Sequence, residues 1–197
     1  MADPNHIVLT HHKLVLMLPC KVGNSSVKAA VASTLGMRIE KRQLHHSPDW
    51  RYEGKEWIAS RDKGWLTIGF VRHPYARFMS AWRNKVRDQN RMHFTGGAKT
   101  IDEVAVALPK IRNQHWRSLV DELCLGGRPL CNLVVKTDDM PAAWKTVQGA
   151  VHGHCGLLLH RIPHLNQTVG DETLSPRAKE LIAAHYADDF RMFGYQP

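Results

Sequence analysis

The chain has 197 residues, room for one domain with a single sizeable core, and its 43% hydrophobic fraction is that of a folded globular protein rather than a disordered one. Lys and Arg number 27 against 18 Asp and Glu, a formal net charge of +9, which favours anionic partners: a phosphorylated cofactor, a polyanionic acceptor or nucleic acid. The longest apolar run is far below the ~18 residues needed to cross a bilayer, and MADPNHIVLTHHK has neither the basic start with an apolar core nor the cleavage site of a signal peptide, so a cytoplasmic protein is expected.

Four cysteines (Cys20, Cys124, Cys131, Cys155) are scattered without a C-x-x-C pair, which points to neither a zinc site nor a dense disulfide framework. The histidine pairs His11-His12, His45-His46 and His152-x-His154 lack the i, i+4 helical spacing with a carboxylate that a zinc hydrolase needs, so no metal site is expected. No repeat, low-complexity tract or long linker interrupts the chain, and residues 1–197 read as one domain.

In chain order, KLVLMLPCKVGNSS comes first. The apolar run from Leu14 to Leu18 with Pro19 at its end reads as a buried strand over 13–19. The stretch from Ser25 or Ser26 to Leu35 reads as a helix, with Ser26 or its neighbour as N-cap and Gly36 as the stop. A strand feeding a helix through a tight loop makes an anion site, because the first helical N–H groups have no intrahelical acceptor and the dipole favours negative charge there. Lys21 and the serine hydroxyls stand where an anion would sit.

A polar and aromatic stretch (37–63) leads to a strand over 65–71, then a helix opening at Pro74 and running to about Asp88. Thr100-x-x-Glu103 announces another helix with a capping box. CNLVVKT (131–137) reads as a third strand, DDMPAAWKTVQGAV as the helix after it, GLLLHRIPHLN (156–166) as a short strand or extended segment, and the chain from Ser175-Pro176 to about Asp188 as a last helix. Strands alternating with helices imply an α/β fold: a mainly parallel central sheet flanked by helices on both faces, with ligands bound beyond the carboxyl ends of the strands.

The second strand-to-helix junction is GFVRHPYARFMSAWRNK (69–85). Arg72 ends the strand on the sheet edge expected for the Lys21 loop, and Ser80 lies about 9 Å along the helix from Pro74 at 1.5 Å per residue. Arg72 with Ser80 could grip a second phosphate through one charge-assisted and one neutral hydrogen bond. Arg77, Arg83 and Lys85 read as a solvated helix face or acceptor-side charges, and Trp82, Trp144, Tyr186 and Phe190 as core.

Lys21-Val22-Gly23-Asn24-Ser25-Ser26 resembles the 5′-phosphosulfate loop of sulfotransferases, and Val71-Arg72-His73-Pro74-Tyr75 with Arg77 and Ser80 resembles their 3′-phosphate motif. FVRHPYARFMSAWRNK, HWR at 115–117, HLN at 164–166 and YADDFRMFGY at 186–195 are similar to the Golgi carbohydrate sulfotransferases of family 2, which act on chondroitin, dermatan and related glycans. The resemblance implies a P-loop-type three-layer sandwich that binds 3′-phosphoadenosine 5′-phosphosulfate (PAPS) and transfers its sulfuryl group to a hydroxyl or amine of a carbohydrate-type acceptor. It implies cofactor contacts from Lys21, Val22, Gly23, Asn24, Ser25, Ser26, Arg72 and Ser80, with Lys21 also catalytic. Asn166, the last residue of HLN, and Gln167 after it fall where relatives approach the cofactor, and a plain turn is the alternative. The base that takes the acceptor proton falls, by resemblance to the heparan-type relatives, between the two motifs: His46 is preferred, with His45 beside it and Glu53 as the carboxylate alternative. A cysteine pair of the relatives recurs as Cys124 and Cys131, which a reducing cytosol would keep as thiols.

Two other functions remain on sequence grounds. A small P-loop kinase using ATP and magnesium would draw on Asp138 or Asp139 in VVKTDD, although the Lys21 loop does not complete G-x-x-x-x-G-K-[ST]. A nucleic-acid-binding domain would use the positive charge, but the basic residues are spread along the whole chain.

Overall fold

The apolar segments before Pro19, before Arg72 and after Asn132 come together in one sheet in the computed structural model, which describes residues 6–38, 54–165 and 170–197. The chain forms two compact units: the described residues of Met1–Val71 and Leu123–Asn166 make the first, Arg72–Glu122 with those of Gln167–Pro197 the second.

The first unit holds a four-stranded sheet of β1 (His6–Leu9), β2 (Leu14–Met17), β3 (Leu66–Val71) and β6 (Leu133–Lys136) in the order β1-β2-β3-β6. β2, β3 and β6 run parallel, in register at Met17↔Gly69 and Val71↔Lys136, while β1 lies antiparallel on β2. The two central strands are almost wholly buried, and for that reason LVLM and LTIGFV read as continuous rather than alternating apolar runs. β1 was not expected: the turn Thr10–His12, closed by Lys13 at φ 46, folds HIVL back onto β2.

Helices α1 (Asn24–Thr34), α2 (Lys55–Ala59) and α6 (Met140–Cys155) accompany this sheet, so the expected α/β class with a mainly parallel sheet flanked by helices is what forms. α6 opens on an Asp139 side-chain cap and ends at Gly156, φ 74. Gly126 and Gly127, both at positive φ, turn a small hairpin of β4 (Cys124–Leu125) and β5 (Arg128–Pro129). Residues 156–165 form no strand; Trp144 Nε1 and Gln148 Nε2 instead donate to the carbonyls of His160 and Leu159, tying the segment to α6. No disulfide joins any of the four cysteines.

The second unit is helical. α3 (Pro74–Trp82) continues as a π-helical turn, Arg83–Asp88, and α4 (Ile101–Ala107) carries the expected Thr100/Glu103 capping box. α5 (Leu119–Leu123) follows, then α7 (Pro176–His185) and α8 (Ala187–Phe193). Phe78, Trp82, Val104, Leu108, Trp116, Ile182, Tyr186 and Phe190 form its core. The single last helix expected to Asp188 is two helices. The chain bends at Tyr186, whose buried hydroxyl donates to the Trp116 carbonyl at 2.7 Å.

Candidate functional site

The loop after β2 is built by three local constraints. Lys21 and Gly23 both take left-handed backbone, φ 72 and φ 90. For lysine that conformation costs on the order of 1 kcal/mol, strain of a kind that concentrates at functional turns. Asn24 Nδ2 donates to the Leu18 carbonyl at 2.7 Å, pinning the first helical residue to the strand end. Gly23 is favoured by its φ of 90, which disfavours a side chain; a Cβ there would otherwise meet only the end of the flexible Met140 side chain.

The N-cap of α1 is Gly23, not Ser26 or its neighbour, and no side chain caps the helix. The ladder begins with Val27 N–H to the Gly23 carbonyl at 3.1 Å. The N–H groups of Asn24, Ser25 and Ser26 are therefore not used by the helix itself, and the positive end of its dipole opens at Lys21. A serine cap would have covered one of them. The Ser26 hydroxyl turns elsewhere, accepting at 3.1 Å the N–H of Leu165, the middle residue of HLN. Val22 is buried and anchors the loop from inside. Gly36, φ 67, stops the helix as expected. Lys28, one helical turn beyond Asn24 on the same face, is fully buried; the sequence reading did not single it out, though its i, i+4 relation to Asn24 was available.

β2 and β3 are parallel, so the Lys21 loop and the peptide after Val71 leave the sheet at one edge. The Thr137 hydroxyl donates to the Val71 carbonyl at 3.0 Å and fixes that end of β3. Arg72 follows directly as the first residue of the second unit, half-buried, and Ser80 is half-buried on α3. Arg77 corrects an expectation: its side chain is 2% exposed and pairs with buried Glu122 at 3.7 Å, because it shares the core-facing side of α3 with Phe78 and Ala81. Arg83 is no bare surface charge either, donating to Glu172 Oε2 at 2.9 Å.

Trp116 and Arg117 of HWR line a cleft of about 380 Å³ in the second unit, together with Arg112, Asp121, His185 and Asp189 among others. Trp116 is buried packing. Asp189 accepts the backbone N–H groups of Leu119 and Val120 at 2.8 and 2.9 Å, yet burial pushes its carboxyl above the usual range despite these bonds and Arg77. Burial likewise lowers the His185 imidazole, partly offset by Asp121.

His45, His46 and Glu53, the base candidates, and Asn166 and Gln167 lie outside the described residues. Asp139 is committed to the Ala142 N–H at 3.1 Å as the cap of α6. Among the described residues no group of three or more His, Cys, Asp or Glu side chains could hold a metal ion, and no helix is long and apolar enough to cross a membrane.

Comparison with protein families matches residues 4–132, more than half the chain, to the one described as the Sulfotransferase family. No curated protein and no solved structure matches the chain.

Proposed function

This chain belongs to the sulfotransferase family and is a transferase of sulfuryl groups, and on that premise we propose that its donor is PAPS and its acceptor a hydroxyl or amine of a carbohydrate. The observation that carries the donor reading is the uncapped start of α1 behind two left-handed residues, Lys21 and Gly23, at the carboxyl end of a central strand. Such a loop fits a 5′-phosphosulfate: in this reading the backbone N–H groups of residues 22–26 and the Lys21 ammonium meet the anion, and glycine lets the backbone approach closely. In this reading Arg72 and Ser80 hold the 3′-phosphate, and residues 1–197 are a single sulfotransferase-like domain of the P-loop-type, three-layer class in the cytoplasm.

PAPS, when bound, supplies an activated sulfuryl group whose departure leaves charge on the bridging phosphate oxygen. Lys21 is the catalytic cation for that charge. Its ammonium and the loop N–H groups interact more strongly with the developing anion than with the neutral bridge, so they lower the barrier rather than merely tightening binding. His46, or His45 beside it, accepts the proton that the acceptor hydroxyl loses as its oxygen joins sulfur, with Glu53 as the carboxylate alternative.

The test is transfer of radiolabelled sulfate from PAPS to a panel of glycans, lipids and small alcohols. Labelled glycan is the expected product. Replacing Lys21 with Ala should lower kcat about 10²–10³-fold, the scale of losing one preorganised transition-state contact, while affinity for adenosine 3′,5′-bisphosphate changes far less. Equal turnover by the Lys21→Ala variant would remove the lysine from the mechanism. Transfer only to lipids or simple alcohols would remove the carbohydrate acceptor.

A further inference from the structure

Resting on the donor reading above, we propose that His73 and the segment Tyr195–Gln196 form a brace that aims Arg72 at the donor's 3′-phosphate, His73 acting as a positioning residue. His73 occupies the turn between Arg72 and Pro74, with φ −49 and ψ 127, and is the N-cap of α3. Its Nδ1 accepts the Tyr75 backbone N–H at 3.3 Å. With Nδ1 accepting, Nε2 is the donor, and it bonds the Gln196 carbonyl at 3.1 Å. One imidazole therefore caps the helix and ties the turn to a segment 123 residues away.

The rings around it hold that tie in place. His73 meets Phe190 and Tyr195 edge-on at centroid distances of 5.5 and 5.1 Å and lies tilted against Tyr75 at 5.3 Å. Phe190 is buried in the core, and the Tyr75 hydroxyl donates to the Lys179 carbonyl at 3.2 Å. Gly194, φ 60, ends α8 and reverses the chain so that Tyr195 and Gln196 reach the imidazole. Histidine is not a favoured N-cap; Ser, Thr, Asp or Asn would satisfy Tyr75 N–H more simply. Their side chains are too short for more than the cap; the imidazole caps the helix through Nδ1 and, with Nε2 on the far side of the ring, also reaches Gln196. Arg72 is peptide-bonded to this turn, and a planar guanidinium that binds phosphate in a fixed fork loses contact when its backbone rotates.

The test measures affinity for two nucleotides by calorimetry: adenosine 3′,5′-bisphosphate, and adenosine 5′-monophosphate, which lacks the 3′-phosphate. His73→Asn keeps an acceptor for Tyr75 N–H and gives up the reach to Gln196. It should weaken the bisphosphate about five- to tenfold, the scale of one lost hydrogen bond, and leave the monophosphate unchanged. Deleting Gln196 and Pro197, which spares the ring cluster, should reproduce that selective loss should His73→Asn fold poorly. Equal weakening of both nucleotides would mean a general structural role, and wild-type bisphosphate affinity in both variants would show that the tie is idle; either overturns the brace. Arg72→Ala separates the two readings. If it abolishes the preference for the bisphosphate while the His73 and truncation variants do not change it, only the brace fails. If Arg72→Ala itself leaves the preference intact, the donor reading fails with it.

Discussion

Glu172 answers to two arginines. Its carboxylate accepts from Arg83 Nε at 2.9 Å and Arg87 Nη1 at 2.7 Å, linking the start of the π-helical turn to the chain that leads into α7. The bond from Arg87 is the leading reason its pKa falls from 4.5 to about 2. A carboxyl depressed by folding adds stability that is complete above its unfolded pKa and is lost as pH falls towards the folded one, here from about 4.5 down to about 2. Glu172→Gln should therefore lower the thermal midpoint at pH 7, and the gap from wild type should close as the pH is taken from 4.5 to 2 in calorimetric scans. Because the group is in contact with solvent, added salt should shrink the gap at pH 7 as well. A gap of constant size across that pH range would show that the carboxylate charge is irrelevant. Such partnerships are only half-legible in sequence: Arg83 and Arg87 are visible as one side of a helix at i, i+4, but nothing in the string announces an acid 85 residues beyond Arg87. Arg77 was legible in principle, since its spacing to Phe78 and Ala81 places it on the buried face.

Elements whose periodicity is set by burial were the ones that sequence could place. β2, β3 and β6 are short apolar runs, and α3, α4 and α6 open on proline or an acidic or hydroxyl cap, so each fell within a few residues of its expected bounds. β1 escaped because its four residues join β2 only through a tight turn of Thr and His, and the break between α7 and α8 escaped because Tyr186 is held by a distant carbonyl rather than by a local stop signal. In the candidate site, Lys21 and the glycine were legible as a loop. The cap was not, because a serine in a helical first turn looks the same whether it caps or bonds elsewhere. β3 also contains a glycine whose reason lies across the sheet: a Cβ at Gly69 would collide with the Cys131 thiol. That thiol is pushed up to about 12, by burial above all, so it stays protonated and behaves as a small apolar group. Gly69→Ala should destabilise the protein by about 1–3 kcal/mol, the usual range for overpacking a tight interior. Adding Cys131→Ala, which removes the clashing sulfur, should return part of that loss in urea unfolding. Strict additivity of the two substitutions would mean that they do not meet.

At the scale of the whole molecule, the question is where the positive charge facing the leaving group comes from. A kinase meets its transferred group with magnesium held by an acidic residue at a strand end, because a phosphoryl group and its neighbours carry too much negative charge for side chains alone. A sulfuryl group carries less, and this family's chemistry can be met by the protein's own cations. The chain has a net charge of +9, and Lys21 sits at the positive end of α1. Of the acidic pair after β6, Asp139 has another task, since it caps α6. Two outcomes follow from one assignment. Sulfate transfer from PAPS should proceed at an unchanged rate in excess EDTA and gain nothing from added magnesium. Asp139→Ala should cost about 1 kcal/mol of stability through the lost cap and leave kcat per folded molecule where it was. An enzyme silenced by EDTA and restored by magnesium, with Asp139→Ala inactive although folded, would place the neutralising charge on a metal at the end of β6 and take from Lys21 the part assigned to it.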